Sequence, residues 1–347
     1  MAEGDYTKRV ERFESGTDPR VLPEKVARSV IQDVEQSSVA MQLANVHRMT
    51  TRQERLTLED SFPDAYWLNG TTDYPRLSSG DGVNNASGSA RAKDSQPKKT
   101  TKVTWASKTL AAEELAVQVA IPDSFIDDTG APLFDEIRPK LATAFAKKID
   151  AAVLFGEDSP FLQDGVLQGA IANGNVVTLG SGASVLGQTH NDIAMDVAAL
   201  GFEAAQDGLL VNKFVTAPGF DWRLYGLRDS NGTPIYIAPT DASPGRLYGR
   251  PTQEVTNGTW DEDLALLAGG EWDKCIIGVR QDITFSLSDS AVIYDPATGL
   301  VKYSAFQQDG KVLRAVMRLA FTVVQPLRHL TNTKVYPFWV LQDRSLS

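Results

Sequence analysis

The chain has 347 residues, 42% of them apolar and 22% charged, enough to bury one large or two ordinary cores and unlike a disordered composition. A formal charge of −10 argues against a protein that grips nucleic acid through clustered Lys and Arg. One cysteine, Cys275, and three scattered histidines, His47, His190 and His329, leave no intramolecular disulfide framework and no Cys/His zinc cluster. No apolar run reaches the ~18 residues of a membrane span. The N-terminal segment lacks the apolar stretch of a secretory signal, so the expected setting is the inside of a cell or something assembled there.

In chain order, residues 1–22 read as a polar tail. Pro23 opens an amphipathic helix with Val26, Val30, Val34 and Met41 near one face, an arm that needs a partner surface. Residues 69–100 are rich in Gly, Ser and Asn and nearly free of apolar side chains. They lie between two strand-like stretches, Tyr66–Leu68 and Lys102–Trp105, which predicts an extended hairpin with too little core to stand alone. Residues 110–126 read as a strand and a short connection ending near Pro122.

The clearest helix follows. Phe134, Ile137, Leu141, Phe145, Ile149 and Val153 recur at three- and four-residue steps up to a stop at Gly156, with Pro139 either in the first turns or at a bend. Glycines 165, 169, 174, 180, 182 and 187 predict a loop-rich crossover. Thr189 and Asp192 form a start signal for a helix carrying Ile193, Val197 and Leu200. Leu209–Thr216 and Pro234–Ile237 read as strands around a short helix at 221–227, and 274–287 as two strands about a turn at Arg280–Gln281. From Leu313 to Val323 apolar residues alternate with Arg314, Arg318 and Thr322, a long strand with one buried face.

Chemistry is sparse. Gly180-Ser-Gly-Ala-Ser-Val-Leu-Gly187 has the spacing of neither a dinucleotide nor a phosphate loop, and Ser184 lacks the hydrolase elbow. Asp127-Asp128 and Asp261-Glu262-Asp263 read as solvated turns rather than cation ligands. Each histidine reads as structural or exposed, and Cys275, in an apolar strand, as a buried small hydrophobe. The Asn-Gly-Thr sequons at Asn69, Asn231 and Asn257 read as turns; the fourth sequon, at Asn85, carries no glycosylation meaning without a signal. No catalytic residue, cofactor or metal ligand is assigned. What stands out is charge: residues 91–108 hold six basic residues (Arg91, Lys93, Lys98, Lys99, Lys102, Lys108) against Asp94, while 254–296 hold nine acids against two bases. A basic arm and an acidic body in one chain suit docking between copies.

The ordered series of elements resembles the Hong Kong 97-fold family of tailed-bacteriophage major capsid proteins over about residues 22–342. Leu22–Ala44 resembles its N-arm, Tyr66–Lys108 its extended E-loop, Val119–Asp128 the segment before its spine helix, and Phe134–Phe155 that helix. Leu247-Tyr-Gly-Arg-Pro251 resembles its Leu-x-Gly-x-Pro turn, Glu271–Arg280 its Trp-containing strand pair, and Phe306–Gly310 with Arg314, Arg318 and Pro326 its closing strand. The resemblance implies an α+β capsid fold: tail and N-arm at 1–65, E-loop at 66–108, peripheral domain at 109–186 with the spine helix at 134–155, axial domain at 187–305, and the closing strand with the C-terminus at 306–347. It implies a shell protein, not an enzyme, whose copies form the hexamers and pentamers of an icosahedral capsid in the bacterial host cytoplasm. Expected partners are further copies, a portal protein, a separate scaffolding protein if any, a decoration protein as an optional addition, and packaged DNA lying inside without sequence-specific binding, with no membrane. The E-loop lysines Lys93, Lys98 and Lys99 find no Asn within Ser304–Gly310 and no Glu within Lys311–Gln325, so no isopeptide cross-link is expected. An encapsulin-type compartment and a soluble α+β enzyme remain as alternatives.

Overall fold

In a computed structural model of the chain, the residues described are 34, 38–63, 103–123, 133–180, 193–228, 231–234, 236–237, 245–295, 297–328, 331 and 333–343. The predicted helix from Pro23 apart from Val34 and Met41, the strand at 66–68, the Gly-rich 69–100 stretch, the basic residues 91–102, Asp127-Asp128 and the Thr189/Asp192 start signal lie outside them, as do His190 and His329; Met41 belongs to a separate short helix that starts after an extended Ser38.

The helices are α1 (Val39–Leu43), α2 (Leu133–Asp150), α3 (Val166–Ala172), α4 (Ile193–Gln206) and α5 (Phe220–Leu224). The strands are β1 (Asn45–Arg48), β2 (Gln53–Glu59), β3 (Trp105–Ala111), β4 (Glu113–Pro122), β5 (Val176–Thr178), β6 (Lys213–Thr216), β7 (Tyr236–Ile237), β8 (Gly245–Leu247), β9 (Arg250–Glu254), β10 (Leu267–Gly270), β11 (Cys275–Ser288), β12 (Val292–Tyr294), β13 (Val301–Ser304), β14 (Gly310–Val323) and β15 (Phe338–Gln342). They form a four-stranded sheet ordered β1-β11-β14-β4, a seven-stranded sheet ordered β5-β15-β10-β6-β9-β8-β7, and two two-stranded sheets, β2-β3 and β12-β13. No described helix is long and apolar enough to cross a membrane.

Two compact units result, one made of Met1–Glu54, Thr109–Pro326 and Val335–Ser347, the other of Arg55–Lys108 and Leu327–Lys334. In the larger unit the seven-stranded sheet is apolar on both faces, and its two-residue period sorts side chains between two cores. Val215, Ala268, Phe338 and Val340 join the core built on α2 and β14. Their neighbours Phe214, Leu267, Trp339 and Leu341 join the core under α4 and α5. Trp272 is fully buried, donates its indole N–H to the Lys213 carbonyl at 3.2 Å, and meets Phe338 edge-on at 5.0 Å.

The α2 periodicity places Leu141, Phe145, Ile149 and Val153 in the core, with Ile137 partly buried against it. Pro139 stands inside the helix, and Thr143 Oγ donates to the Pro139 carbonyl at 3.0 Å. After Asp150 the helix widens into a π-helical turn, Ala151–Phe155, with all five side chains buried, and Gly156 closes it at φ 71°. Asn257-Gly258-Thr259 is a turn, as expected, with Gly258 at φ 72° and Thr259 N–H donating to Asn257 Oδ1 at 3.2 Å. Leu247–Pro251 closes a hairpin through Tyr248 and Gly249 at φ 50° and 75°, two consecutive left-handed residues of the kind that match strand twist.

Several local expectations are corrected. The stretch 275–288 is one strand: irregular register at Val279–Gln281 and Gln281–Thr284 marks bulges that shift side chains between faces without reversing the chain. The Gly165–Gly180 crossover contains α3 and β5, because Val166, Leu167 and Ala170 bury enough apolar surface to hold a helix despite Gly169. Only Lys213–Thr216 of the expected strand from Leu209 pairs in a sheet. Among the described residues β3 pairs with β2; the expected strand at Tyr66–Leu68 lies outside them.

In the smaller unit, Asp60 N–H donates to the Thr104 carbonyl at 2.8 Å and Thr104 N–H to Ser61 Oγ at 3.0 Å, extending the β2-β3 pairing by one step. Leu327 bridges to Lys334, whose ammonium lies 2.6 Å from Asp60.

Gly165 is the tightest backbone approach on the path out of the π-helical turn. A Cβ there would meet the Gly156 nitrogen, with the Phe155 carbonyl carbon at 2.6 Å and the Leu154 oxygen at 2.8 Å, all of them backbone atoms unable to yield. Gly165→Ala is expected to destabilise the chain by about 2–3 kcal/mol, read as a lowered midpoint in chemical denaturation.

Candidate assembly surfaces

Residues 38–40, the end of α2 and the loop after β9 converge on one carboxylate. Asp150 is fully buried on the α2 stripe that also carries Ala142 and Ala146. Its Oδ1 accepts from Ser38 Oγ at 2.6 Å and from Ala40 N–H at 2.9 Å; its Oδ2 accepts from Val39 N–H at 3.1 Å and from Asn257 Nδ2. Ser38 Oγ in turn accepts from Met41 N–H at 3.2 Å, so the first three amide groups of α1 are all satisfied. Burial pushes the Asp150 carboxyl above the ordinary carboxylate range, and the donors from Ser38, Ala40, Val39 and Asn257 pull it back. Gln253 Nε2, near the end of β9, donates to Gln42 Oε1 at 2.6 Å, a second tie to α1 close to the Asn257 loop.

A second constellation fixes the turn between β1 and β2. Glu54 accepts from Thr50 N–H at 2.6 Å and faces His47 Nε2 at 3.0 Å. These contacts, the Thr50 amide first, hold its carboxyl down at about 2. Arg48 reaches across to Asp282 beside the β11 irregularity, with both carboxylate oxygens 3.0 Å from Nη1.

The outer surface of the larger unit carries two apolar tips. On the β12-β13 hairpin, Val292, Tyr294, Leu300 and Val301 are exposed, Leu300 at 70%, and Phe306 just beyond is 82% exposed. The hairpin turn is held by Asp295, whose carboxylate accepts from Ala297 N–H and Thr298 Oγ at 3.0 Å each. A two-stranded hairpin is marginal by itself, and one with an apolar outer face gains most from a partner. The second tip is at the edge of the seven-stranded sheet, where Trp222 (78% exposed) of α5 and Tyr225 just after it lie beside β7. Trp222 lies 5.2 Å from Tyr225, and Tyr225 meets Tyr236 edge-on at 5.4 Å. Tyr236 donates its hydroxyl to Asp221, which anchors this aromatic row to the sheet.

The remaining residues singled out in the sequence do not converge. His47 is on the exposed strand β1, and Asp261 and Asp263 sit in a turn where Asp263 N–H donates to Asp261 Oδ1 at 3.0 Å. Cys275 is fully buried, which pushes its thiol far up. Gly180 ends the described stretch with its N–H on Asp196 Oδ2 at 2.9 Å. Among the described residues no group of three or more His, Cys, Asp or Glu side chains could hold a metal ion. Of the basic arm residues only Lys108 is described; burial and the nearby Lys334 charge lower its pKa.

The sequence matches the phage capsid family over residues 20–328. It is 24% identical over 320 residues to the major capsid protein of Staphylococcus phage 80alpha, covering 91% of this chain and 83% of that one. A solved structure from Microbacterium phage Oxtober96 is similar at TM-score 0.68 and 26% identity, covering 95% of this chain and 94% of that one. The capsid of an empty GTA particle, computed with C5 symmetry, shares the fold at TM-score 0.53 and 16% identity, with 99% of each chain covered.

The lowered Glu54 value carries a sign. The turn it organises is stabilised wherever the group is ionised in the fold, fully so above the ordinary 4.5, and that contribution is lost as the pH falls through about 2. NMR titration of the Glu54 carboxyl is expected to show a midpoint near 2; a midpoint near 4.5 would mean that the Thr50 and His47 contacts do not persist in solution.

Proposed function

Because the chain belongs to the phage capsid family, with its Hong Kong 97-like α+β fold and the general role of a tailed-phage major capsid protein, we propose that its copies assemble into the hexamers and pentamers of an icosahedral shell around packaged DNA. In this reading α2 and its π-helical turn are the spine helix, the four-stranded sheet with that helix is the peripheral domain, and the seven-stranded sheet with α4 and α5 is the axial domain. The hairpin rooted in β2 and β3 is the E-loop, and residues up to Ala44 are the N-arm. Portal, scaffolding and decoration proteins are its further partners, and assembly takes place in the host cytoplasm.

The observation that carries the reading is the family match across 20–328 joined to apolar tips presented on rigid supports. Exposed Leu300, Val301, Tyr294 and Phe306 have no role in holding one copy together, and contact between copies gives them one. A subunit with net charge −10 repels DNA at long range, which suits a container that must be filled and emptied.

Overexpressed protein, with any encoded scaffold, is expected to give shells, tubes or capsomers in negative-stain electron microscopy; uniformly small monomers would sink the reading. The double variant Tyr294→Asp/Leu300→Asp is expected to abolish particles while leaving subunit stability within about 0.5 kcal/mol, because both side chains are exposed. Denaturing gels of particles are expected to show the monomer alone; a ladder would show covalent cross-links.

A further inference from the structure

The Asp150 junction joins three segments that the shell reading leaves unconnected: the residues leading into the fold, the end of the long helix, and the loop between β9 and β10. A five-residue helix such as α1 does not persist alone in water. It exists because Val39, Ala40, Met41 and Leu43 are buried in the α2 core and because Asp150 takes its amide groups. Conversely, Asp150 is a carboxylate held away from water, with four donors filling its acceptor positions and no charged group among the influences on it. Removing residues 38–40 removes three of those four donors and leaves Asn257 alone on a buried acid. Neither side is satisfied without the other, so half-docked arrangements are disfavoured and docking is close to all-or-none. Release breaks no sheet register, because the strand pairing of this region begins at Asn45 with β1.

We propose that residues 38–44 are a detachable strap, that Asp150 is the latch holding it, and that the latch couples the strap to the 253–260 segment, so that loosening either one loosens the other. The coupling is physical at both ends. Asn257 shares Oδ2 of the latch with Val39, and Gln253 is tied to Gln42 on the strap itself. Asn257 also organises its own turn by accepting from Thr259 N–H, so the side chain that touches the latch is also the one that shapes the loop. The strap thus gives the fold two states, arm docked or arm free, the free state exposing Val39, Ala40, Met41 and Leu43 while the sheets keep their pairing. Coupling of this kind is reciprocal.

Hydrogen exchange on the full-length, unassembled subunit reads it directly and does not depend on shell formation. Asn257→Ala is expected to speed exchange in 38–44, more than 200 residues away in sequence, by about tenfold. Ser38→Ala is expected to do the same in 253–260. Asp150→Asn turns an amide NH2 toward donors that need an acceptor and is expected to speed both. Adding Ser38→Ala to Asp150→Asn is then expected to leave 253–260 unchanged, and adding Asn257→Ala to leave 38–44 unchanged, because only local contacts to Met41 and Thr259 remain to be lost, while β11 and β14 keep their protection throughout. Effects confined to each variant's own segment, additive effects on the distant segment in the Asp150→Asn background, or parallel loss of protection across β11 and β14 would each overturn the latch. If Asp150→Asn fails to fold, the reciprocity between Ser38→Ala and Asn257→Ala decides alone.

Discussion

A carboxylate buried among four hydrogen-bond donors is the constraint on which the arrangement of the larger unit turns. Taking Asp150 out of water costs several kcal/mol, and that cost is offset only when all its donors are in place at once. The donors come from residues 38–40 and 257, so one side chain forces the chain's early residues, its long helix and the loop leading to β10 into a single geometry. Surface pairs such as Lys148–Asp158, with side chains 55% and 74% exposed, contribute little by comparison. An apolar residue at 150 would be easier to bury, but it would fix no register between the three segments.

The seven-stranded sheet carries this geometry onward. Alternate residues of β6, β10 and β15 face different cores, so a shift of one residue in any of them would send Phe214, Leu267 or Trp339 into the core beneath α2. Close approaches enforce the same register: a Cβ on Gly269 would meet the Phe214 ring at 2.7 Å, so the strand packs directly against its neighbour's aromatic face. The sheet therefore behaves as a stiff plate, and what it supports at its edge, the Trp222–Tyr225–Tyr236 row, is presented in a fixed direction. Rigid presentation of a few aromatic groups is what contact between copies needs, because little side-chain entropy remains to be lost on docking.

Much of this was legible in the sequence where one period dominates. The stripe from Ile137 to Val153 read correctly because α2 buries one well-defined face; the strand at β14 was legible too, but not its second buried face, where Val316, Ala320 and Thr322 are covered as well. The bulged strand β11 did not, because its irregular register shifts the alternation at Arg280–Gln281, and a broken period looks like a turn. Helix α3 was masked by the glycines that let it pack: a Cβ on Gly169 would meet the Tyr336 ring, so its glycine marks a close contact and not a loop. The Asp150 junction was the least visible feature. Lys147-Lys148-Ile149-Asp150 reads as a charged helix end, and the one available hint was spacing, since 142, 146 and 150 share a face whose other members are alanines. The partners that make the acid tolerable lie more than 100 residues away in either direction, and no local pattern announces them. The exposed tips were equally hidden, because a Tyr or Leu on a short strand looks the same whether its neighbour is in its own chain or in another.

Polar and apolar groups have thus exchanged their usual places at two points. A charge is inside, where its need for partners fixes shape; large apolar side chains, Trp222 and Leu300 among them, are outside, where they gain nothing from their own subunit. Each inversion is costly in isolation, and the costs differ in kind. The buried carboxylate is compensated within one chain, so its geometry is set before any copy meets another. In the proposed shell the exposed side chains are compensated between chains, so their contribution there rises with concentration and symmetry. A subunit built this way holds a defined form while separate and still has a reason to associate, and its net charge of −10 keeps the association from becoming indiscriminate.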